Sequence, residues 1–353
     1  MKRITCMLFA AGLILVPLCL RASPAAYHIA DVGSFGYAIV FGMNNAGTVV
    51  GATSSTPSTY SAFTWNQVGG LHYLSPLPGY EMSYARGVND QGQVVGYSSS
   101  SGVDRACLWN SGQQAVDIGV LPSGETAPSS RAEAINSGGQ VVGWCSVGGG
   151  SNHAFLWREV SGMDDITPTS TAPHLYAYGI NDGGAVVGTS EGDAFIWDRA
   201  AGMSSVGSTA IGIDINNSGH VLCVYPKGAG GTGAYVWQDG HEIVLGELPG
   251  GVYNDSTEAL DINNIGVVVG QSNGQPFIWN ARYRIMALPM FPDLTDGVAS
   301  AINDNGVIAG TALDAQGNTH ILLWTPVPEP SSLAALLAGL AGLGAVIRRR
   351  RRA

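Results

Sequence analysis

One phrase is written seven times along this chain: MNNAG at 43, VNDQG at 88, INSGG at 135, INDGG at 180, INNSG at 215, INNIG at 262 and INDNG at 302. An active site needs writing once, whereas a structural part is written once per unit. The asparagines, Asn44, Asn89, Asn136, Asn181, Asn216, Asn263 and Asn303, recur every 35 to 47 residues. Each phrase runs into an apolar stretch such as TVVG or QVVG, then, after a variable gap, an aromatic phrase such as AFTW, AFLW or AYVW. A fourth piece follows, of the type LHYLSPLP or EIVLGELP. A period of this size built from strand-like pieces restricts the fold to a propeller or a solenoid.

Two features favour the propeller. The valine and Phe-x-Trp runs are apolar on both faces, which suits strands packed between neighbouring blades. The seventh aromatic phrase ends at Trp324 and is followed at once by Thr-Pro-Val-Pro, so the last unit lacks a fourth strand, while YHIADVGSFG at 27–36 reads as a fourth strand with no unit before it. Joining the two completes seven four-stranded blades. The expected fold is therefore an all-β, seven-bladed propeller closed by the N-terminal strand, with a β-solenoid as the alternative. The 50 glycines and only 12% charged residues agree with many tight turns between apolar strands.

The Asn-x-x-Gly phrase then reads as the turn between strands one and two of each blade. Asparagine tolerates left-handed dihedrals and caps its own backbone, and glycine supplies positive φ. The aromatic-phrase tryptophans, Trp65, Trp109, Trp157, Trp197, Trp237, Trp279 and Trp324, are expected in the core. Removing one, as in Trp157→Ala, is expected to cost ~3–5 kcal/mol.

In an up-and-down blade the one–two and three–four turns share a side. The irregular segments 79–86, 123–131, 144–152, 250–257 and 291–297 then fall on the other side, which is the expected ligand face. Its candidates are Tyr80, Tyr84, Trp144, Tyr253 and Phe291 as stacking surfaces, with Asp293 and Asp296 as a place for a cation. No cofactor is expected; calcium is the weaker alternative, since the EF-hand ligand pattern is absent from the turns. No catalytic residue is assigned. The G-x-S-x-G matches at 188–192 and 270–274 recur at one repeat position, before a strand rather than a helix. G-x-G-x-x-G at 228–233 likewise precedes a strand. The seven histidines show neither HExxH nor zinc spacing.

The two ends read differently from the middle. Residues 1–26 pair Lys2 and Arg3 with an apolar stretch and small residues, the form of a secretory signal peptide. Residues 27–325 are the repeats and 326–353 a separate tail. Between the two ends stand 8 basic and 25 acidic residues, a formal charge of −17. Such a body is repelled by phosphate backbones, so nucleic acid is not an expected partner. It also repels an anionic polysaccharide unless divalent cations bridge the two. Three cysteines remain, Cys107, Cys145 and Cys223, read as small buried residues in preference to a Cys145–Cys223 bridge.

The tail sets Val327-Pro328-Glu329-Pro330 before an apolar run, Leu333 to Ile347, and the arginines Arg348, Arg349, Arg350, Arg351 and Arg352. That run gives ~22 Å of helix against a hydrocarbon core of ~30 Å, a marginal anchor. The arginines are the cytoplasmic stop. In motif, helix and basic end the tail resembles the PEP-CTERM sorting signal of Gram-negative bacteria that make exopolysaccharide. The resemblance implies an exosortase partner, transient anchoring in the inner membrane and delivery to the outer surface or matrix.

The repeats themselves, Ile-Asn-x-x-Gly-x-Val-Val-Gly followed in one copy by His153-Ala154-Phe155-Leu156-Trp157, are similar to the HAF family of extracellular repeats. The histidine is Ser61, Arg105, Asp193, Gly233 or Gln275 in other copies, returning as His320, so it is not a required chemical group. The expected function is a non-catalytic surface or matrix protein that binds or organises exopolysaccharide or another extracellular partner. The alternative is a secreted propeller enzyme acting on glycans, with carboxylates converging on the channel.

Overall fold

A computed structural model describes residues 26–56, 59–110, 114–167, 172–249 and 256–327. The signal peptide, the Pro-Glu-Pro motif, the tail helix and its arginines lie outside the described residues, as does Tyr253. Among the described residues the strands form seven antiparallel four-stranded sheets, a seven-bladed β-propeller. The first strand of each blade faces the axis: Tyr37–Met43, Met82–Val88, Ser130–Ile135, Leu175–Ile180, Ile211–Ile215, Thr257–Ile262 and Thr295–Ile302, each contacting the next. The ring closes as the sequence predicts. Tyr27–Phe35 pairs antiparallel with Thr319–Pro326 as the outermost strand of blade 7, Tyr27 against Pro326 and Phe35 against Thr319, with one bulge at Val32.

Each gap between blades holds one apolar cluster, and the valine pairs feed two at once. Val49 packs between blades 7 and 1, while Val50 packs between blades 1 and 2. Successive strand residues point to opposite faces, so a strand buried on both sides needs two consecutive apolar residues. The glycine after them answers a different demand. A Cβ on Gly96 would lie 1.9 Å from the Tyr84 carbonyl oxygen, so the inner strand approaches too closely for any side chain. Blade 5 inverts the pair, with Cys223 opposite Gly212.

The aromatic phrase divides its labour differently from the expectation. Phe63, Phe155 and Phe277 are fully buried, as are Trp109, Trp279 and Trp324. Trp65, Trp157, Trp197 and Trp237 are only half-buried, packed against the edges of their clusters. Their truncation leaves less cavity, so the full core penalty belongs to the first group and not to Trp157. The Nε1 groups of Trp109 and Trp324 also donate to the Ser75 and Pro289 carbonyls, 2.8 and 2.7 Å away, tying each to the segment leaving the preceding blade.

The Asn-x-x-Gly phrases are one–two turns, but only the glycine takes the left-handed conformation (φ +73° to +81° from Gly47 to Gly306); no phrase asparagine does. The asparagine is there for its side chain. Its Oδ1 accepts the backbone N–H four residues on, as from Thr48 to Asn44 at 2.9 Å, and its Nδ2 donates to the next blade's asparagine carbonyl. That second bond repeats Asn44→Asn89→Asn136→Asn181→Asn216→Asn263→Asn303→Asn44 at 2.9–3.2 Å, a closed circle of buried amides around the axis.

The G-x-S-x-G matches are two–three hairpins. Glu191-Gly192 and Asn273-Gly274 are their left-handed turn pairs, and Ser272, fully buried, accepts the Leu248 N–H. Cys107, Cys145 and Cys223 are buried free thiols. Burial pushes all three thiol pKa values up, Cys223 to about 12.

Candidate functional site

The channel differs at its two ends. At the turn end, the residue after the asparagine adds a second set of ties in six of the seven blades: the N–H groups of Asn45, Ser137, Asp182, Asn217, Asn264 and Asp304 each donate to the next blade's side chain at 2.8–2.9 Å. Hydrogen bonds from Ser137 and Asn217 hold the Asp182 carboxyl below its ordinary range, against the effect of burial. These polar groups line about 220 Å³ and are largely bonded to one another.

The middle of the channel is made by a fault repeated in every inner strand. Three residues before each asparagine the register skips, an extra residue is left unpaired, and it turns to the axis. The seven side chains so placed are Phe41, Arg86, Glu133, Tyr178, Ile213, Leu260 and Ser300, lining a cavity of about 620 Å³. Arg86 donates to Glu133 at 2.6 Å and lies 4.1 Å above the Phe41 ring.

One position further on, five blades carry Gly or Ala, while blades 5 and 6 carry Asp214 and Asp261. The two carboxyls hydrogen-bond each other and accept the Ile262 and Ile302 N–H groups at 3.4 and 2.7 Å. Burial raises both pKa values, and for Asp261 the neighbouring Asp214 charge raises it further, so ionising both carboxyls together is disfavoured. Their exposure is to the channel cavity rather than to bulk water.

At the other mouth, five residues before the asparagine, the inner strands of blades 2, 3 and 4 carry Tyr84, Arg131 and Tyr176. Their cross-strand partners in the first two are Tyr97 and Trp144. The rings make a continuous arc. Tyr60 meets Tyr84 at 5.4 Å, Tyr84 stacks on Tyr97 at 4.7 Å, and Arg131 spans the Tyr97 and Trp144 faces at 4.4 and 5.2 Å. Trp144 then meets Tyr176 edge-on at 5.6 Å, and Tyr176 stacks on Tyr178, which leads down into the channel. Arg131 is clamped by Asp104, from its Nε at 2.7 Å and its Nη2 at 2.6 Å. Burial pushes the Tyr97 and Tyr178 phenols up to about 12, so both are hydroxyl donors at neutral pH. Tyr84, Arg131, Trp144, Tyr176 and Tyr178 remain half-exposed.

Of the expected ligand face, the structure therefore brings together Tyr84 and Trp144. Both lie on strands, within segments 79–86 and 144–152 that the sequence reading took for loops. Tyr80 packs against the cluster between blades 1 and 2 and donates its N–H to the Leu77 carbonyl, a structural position. Phe291 packs against the cluster between blades 6 and 7. Asp293 and Asp296 are exposed where the chain enters blade 7, away from the arc on blades 2–4. Among the described residues no three acidic, histidine or cysteine side chains group as a metal site. His153, of the His-Ala-Phe-Leu-Trp phrase, bonds Asp165 on the adjacent strand at 2.7 Å, and His320 bonds Asp31 at 2.8 Å. These are strand-to-strand ties. Arg86, Glu133, Tyr97, Arg131, Tyr176, Tyr178 and the aspartate pair were not singled out from sequence.

Residues 326–352 match the model of the PEP-CTERM protein-sorting motif. This motif is the recognition signal for exosortase processing, so the chain is an exported protein of a Gram-negative envelope, anchored transiently in the membrane. Among curated proteins none matches the chain in sequence. Among solved structures it is similar to TolB from Acinetobacter baumannii at 9% identity and TM-score 0.36, over 85% of this chain and only 55% of TolB. It is also similar to a mutant of AofleA from Arthrobotrys oligospora (12% identity, TM-score 0.38, 84% of this chain and 86% of that one). A third is the Aleuria aurantia lectin, a six-bladed propeller (10% identity, TM-score 0.36, 87% of this chain and all of that one). These likenesses concern the fold alone. The chain is thus an exported seven-bladed β-propeller carrying a PEP-CTERM sorting tail.

Proposed function

We propose that the protein is a non-catalytic binding module of the cell surface or extracellular matrix, and that it binds exopolysaccharide through the arc on blades 2–4. The observation that carries this reading is the half-exposed run Tyr84–Arg131–Trp144–Tyr176–Tyr178, backed by the buried Tyr97 ring and descending into a cavity of about 620 Å³. Aromatic faces supply large apolar contact at little entropic cost, and fixed polar groups between them orient a ligand. Sugar rings offer the matching surface, apolar C–H faces edged with hydroxyls. The exported state and the likeness of the repeats to the HAF type agree with this role.

The test is the mobility of the full chain in native gels containing exopolysaccharide from the producing cells, with calcium and with chelator. Retardation that Trp144→Ala abolishes supports the reading. Unchanged mobility under both conditions overturns it and favours a protein partner.

The aspartate pair favours a second reading, a glycan-processing enzyme. The carboxyls that converge on the channel are Asp214, Asp261 and Glu133, all from inner strands. Incubation with polysaccharide would then release new reducing ends or unsaturated products, and Asp261→Asn would stop it. Absence of products from polymers that are bound eliminates this reading.

A further inference from the structure

Resting on the binding role just proposed, the charge arrangement of the arc identifies the class of polymer it takes. Two guanidinium groups lie in the arc and its descent into the channel, and each is already paired with a carboxylate. Arg131 gives both its Nε and its Nη2 to Asp104, and its flat face is sandwiched by Tyr97 and Trp144. Arg86 gives its Nε to Glu133, which is 9% exposed, and its face covers Phe41. Each positive charge is matched by a buried carboxylate one blade away. A further carboxylate, Glu191, accepts the His174 N–H at 3.0 Å beside Tyr176 and tips the local balance to negative.

Among the described residues of the arc an acidic polymer meets no arginine without a carboxylate partner, and a −17 body behind it. Displacing Asp104 from Arg131 would strand a carboxylate that is mostly withdrawn from water, a loss that an exposed uronate contact would not recover. An uncharged sugar ring meets neither obstacle. Its C–H face stacks on Trp144, Tyr84 or Tyr176, and its hydroxyls can donate to and accept from the Tyr178 hydroxyl. We infer that the arc is a binding site for an uncharged glycan, recognised by stacking and hydroxyl hydrogen bonds, with no calcium bridge and no salt link.

The full chain is run in native gels containing, separately, neutral polymers (dextran, galactomannan, hydroxyethylcellulose) and acidic ones (alginate, polygalacturonate), each with calcium, with chelator and with raised salt. The expected result is retardation by at least one neutral polymer, unchanged by chelator or salt. It should weaken by roughly tenfold or more in Trp144→Ala and Tyr176→Ala, as for loss of an aromatic hot spot, and be largely kept in Trp144→Phe. Thermal unfolding of each variant separates a lost site from a lost fold. Retardation by acidic polymers only, or only with calcium, overturns this inference while leaving the binding role standing. No retardation by any polymer overturns both. Neutral binding that survives both alanine variants also overturns the inference, because it places the site elsewhere.

Discussion

Asn181 shows what one side chain contributes to the ring. Its Oδ1 accepts the Ala185 N–H at 3.0 Å and its Nδ2 donates to the Asn216 carbonyl at 3.2 Å, so one buried amide closes a turn and fastens two blades. Asn181→Ala loses both bonds and should cost about 2 kcal/mol. Asn181→Asp separates the two roles, because aspartate keeps the turn acceptor but sets a carboxylate against the Asn216 carbonyl. It should cost at least as much as alanine in urea unfolding; a loss under ~0.5 kcal/mol would mean that turn capping is the whole role. Turn chemistry was legible in the phrase. The Nδ2 donor was not, because its acceptor stands 35 residues away in the next copy. The tryptophans teach the same lesson. Trp324→Ala, at a fully buried site, should cost ~3–5 kcal/mol, and Trp157→Ala, at a half-buried one, less than ~2. Equal losses in denaturant melts would contradict the difference in burial.

At the scale of the element, the inner strand carries both the fold and the site. Its register skip turns one side chain per blade to the axis, so seven strands of nearly one pattern present seven different residues to the channel. Read against the asparagine, the variable positions stand three and five residues upstream, a signal present in the sequence but hidden by looking for ligand residues in irregular loops. The aspartate pair sits in the same strands and gives a pH dependence whose sign is determined. Both pKa values are raised in the folded protein, so the folded state holds an extra proton above the ordinary carboxylate value of 3.8. Stability should therefore fall as pH rises from that value through the raised one, and be level above it. The other ionisable groups facing this cavity are Arg86, Glu133 and Tyr178. Asp261→Asn keeps a hydrogen-bonding side chain and should flatten that fall, measured as urea midpoint against pH. An unchanged slope would place the titration elsewhere.

At the scale of the whole molecule, closure depends on one strand. Tyr27–Phe35 covers Thr319–Pro326 and adds Tyr27, Ile29, Val32 and Phe35 to the clusters on either side of blade 7. Deleting residues 27–35 should lower stability by about 3 kcal/mol or more, from lost apolar burial alone, and leave an open edge that associates. A monomer with unchanged urea midpoint would show that the ring does not need its clasp. The sequence by itself determined the seven blades and their closure, because turn, valine and aromatic phrases are local and a missing fourth strand at one end is answered at the other. It determined the sorting tail too, since that signal is contiguous. Tertiary structure alone decided that seven asparagines make one circle, that two aspartates 47 residues apart meet in the channel, and that Tyr84, Arg131, Trp144 and Tyr176 form one surface. The physical reason is distance along the chain. Ring geometry brings together positions that the sequence keeps a full repeat apart, and no local pattern records which of them touch.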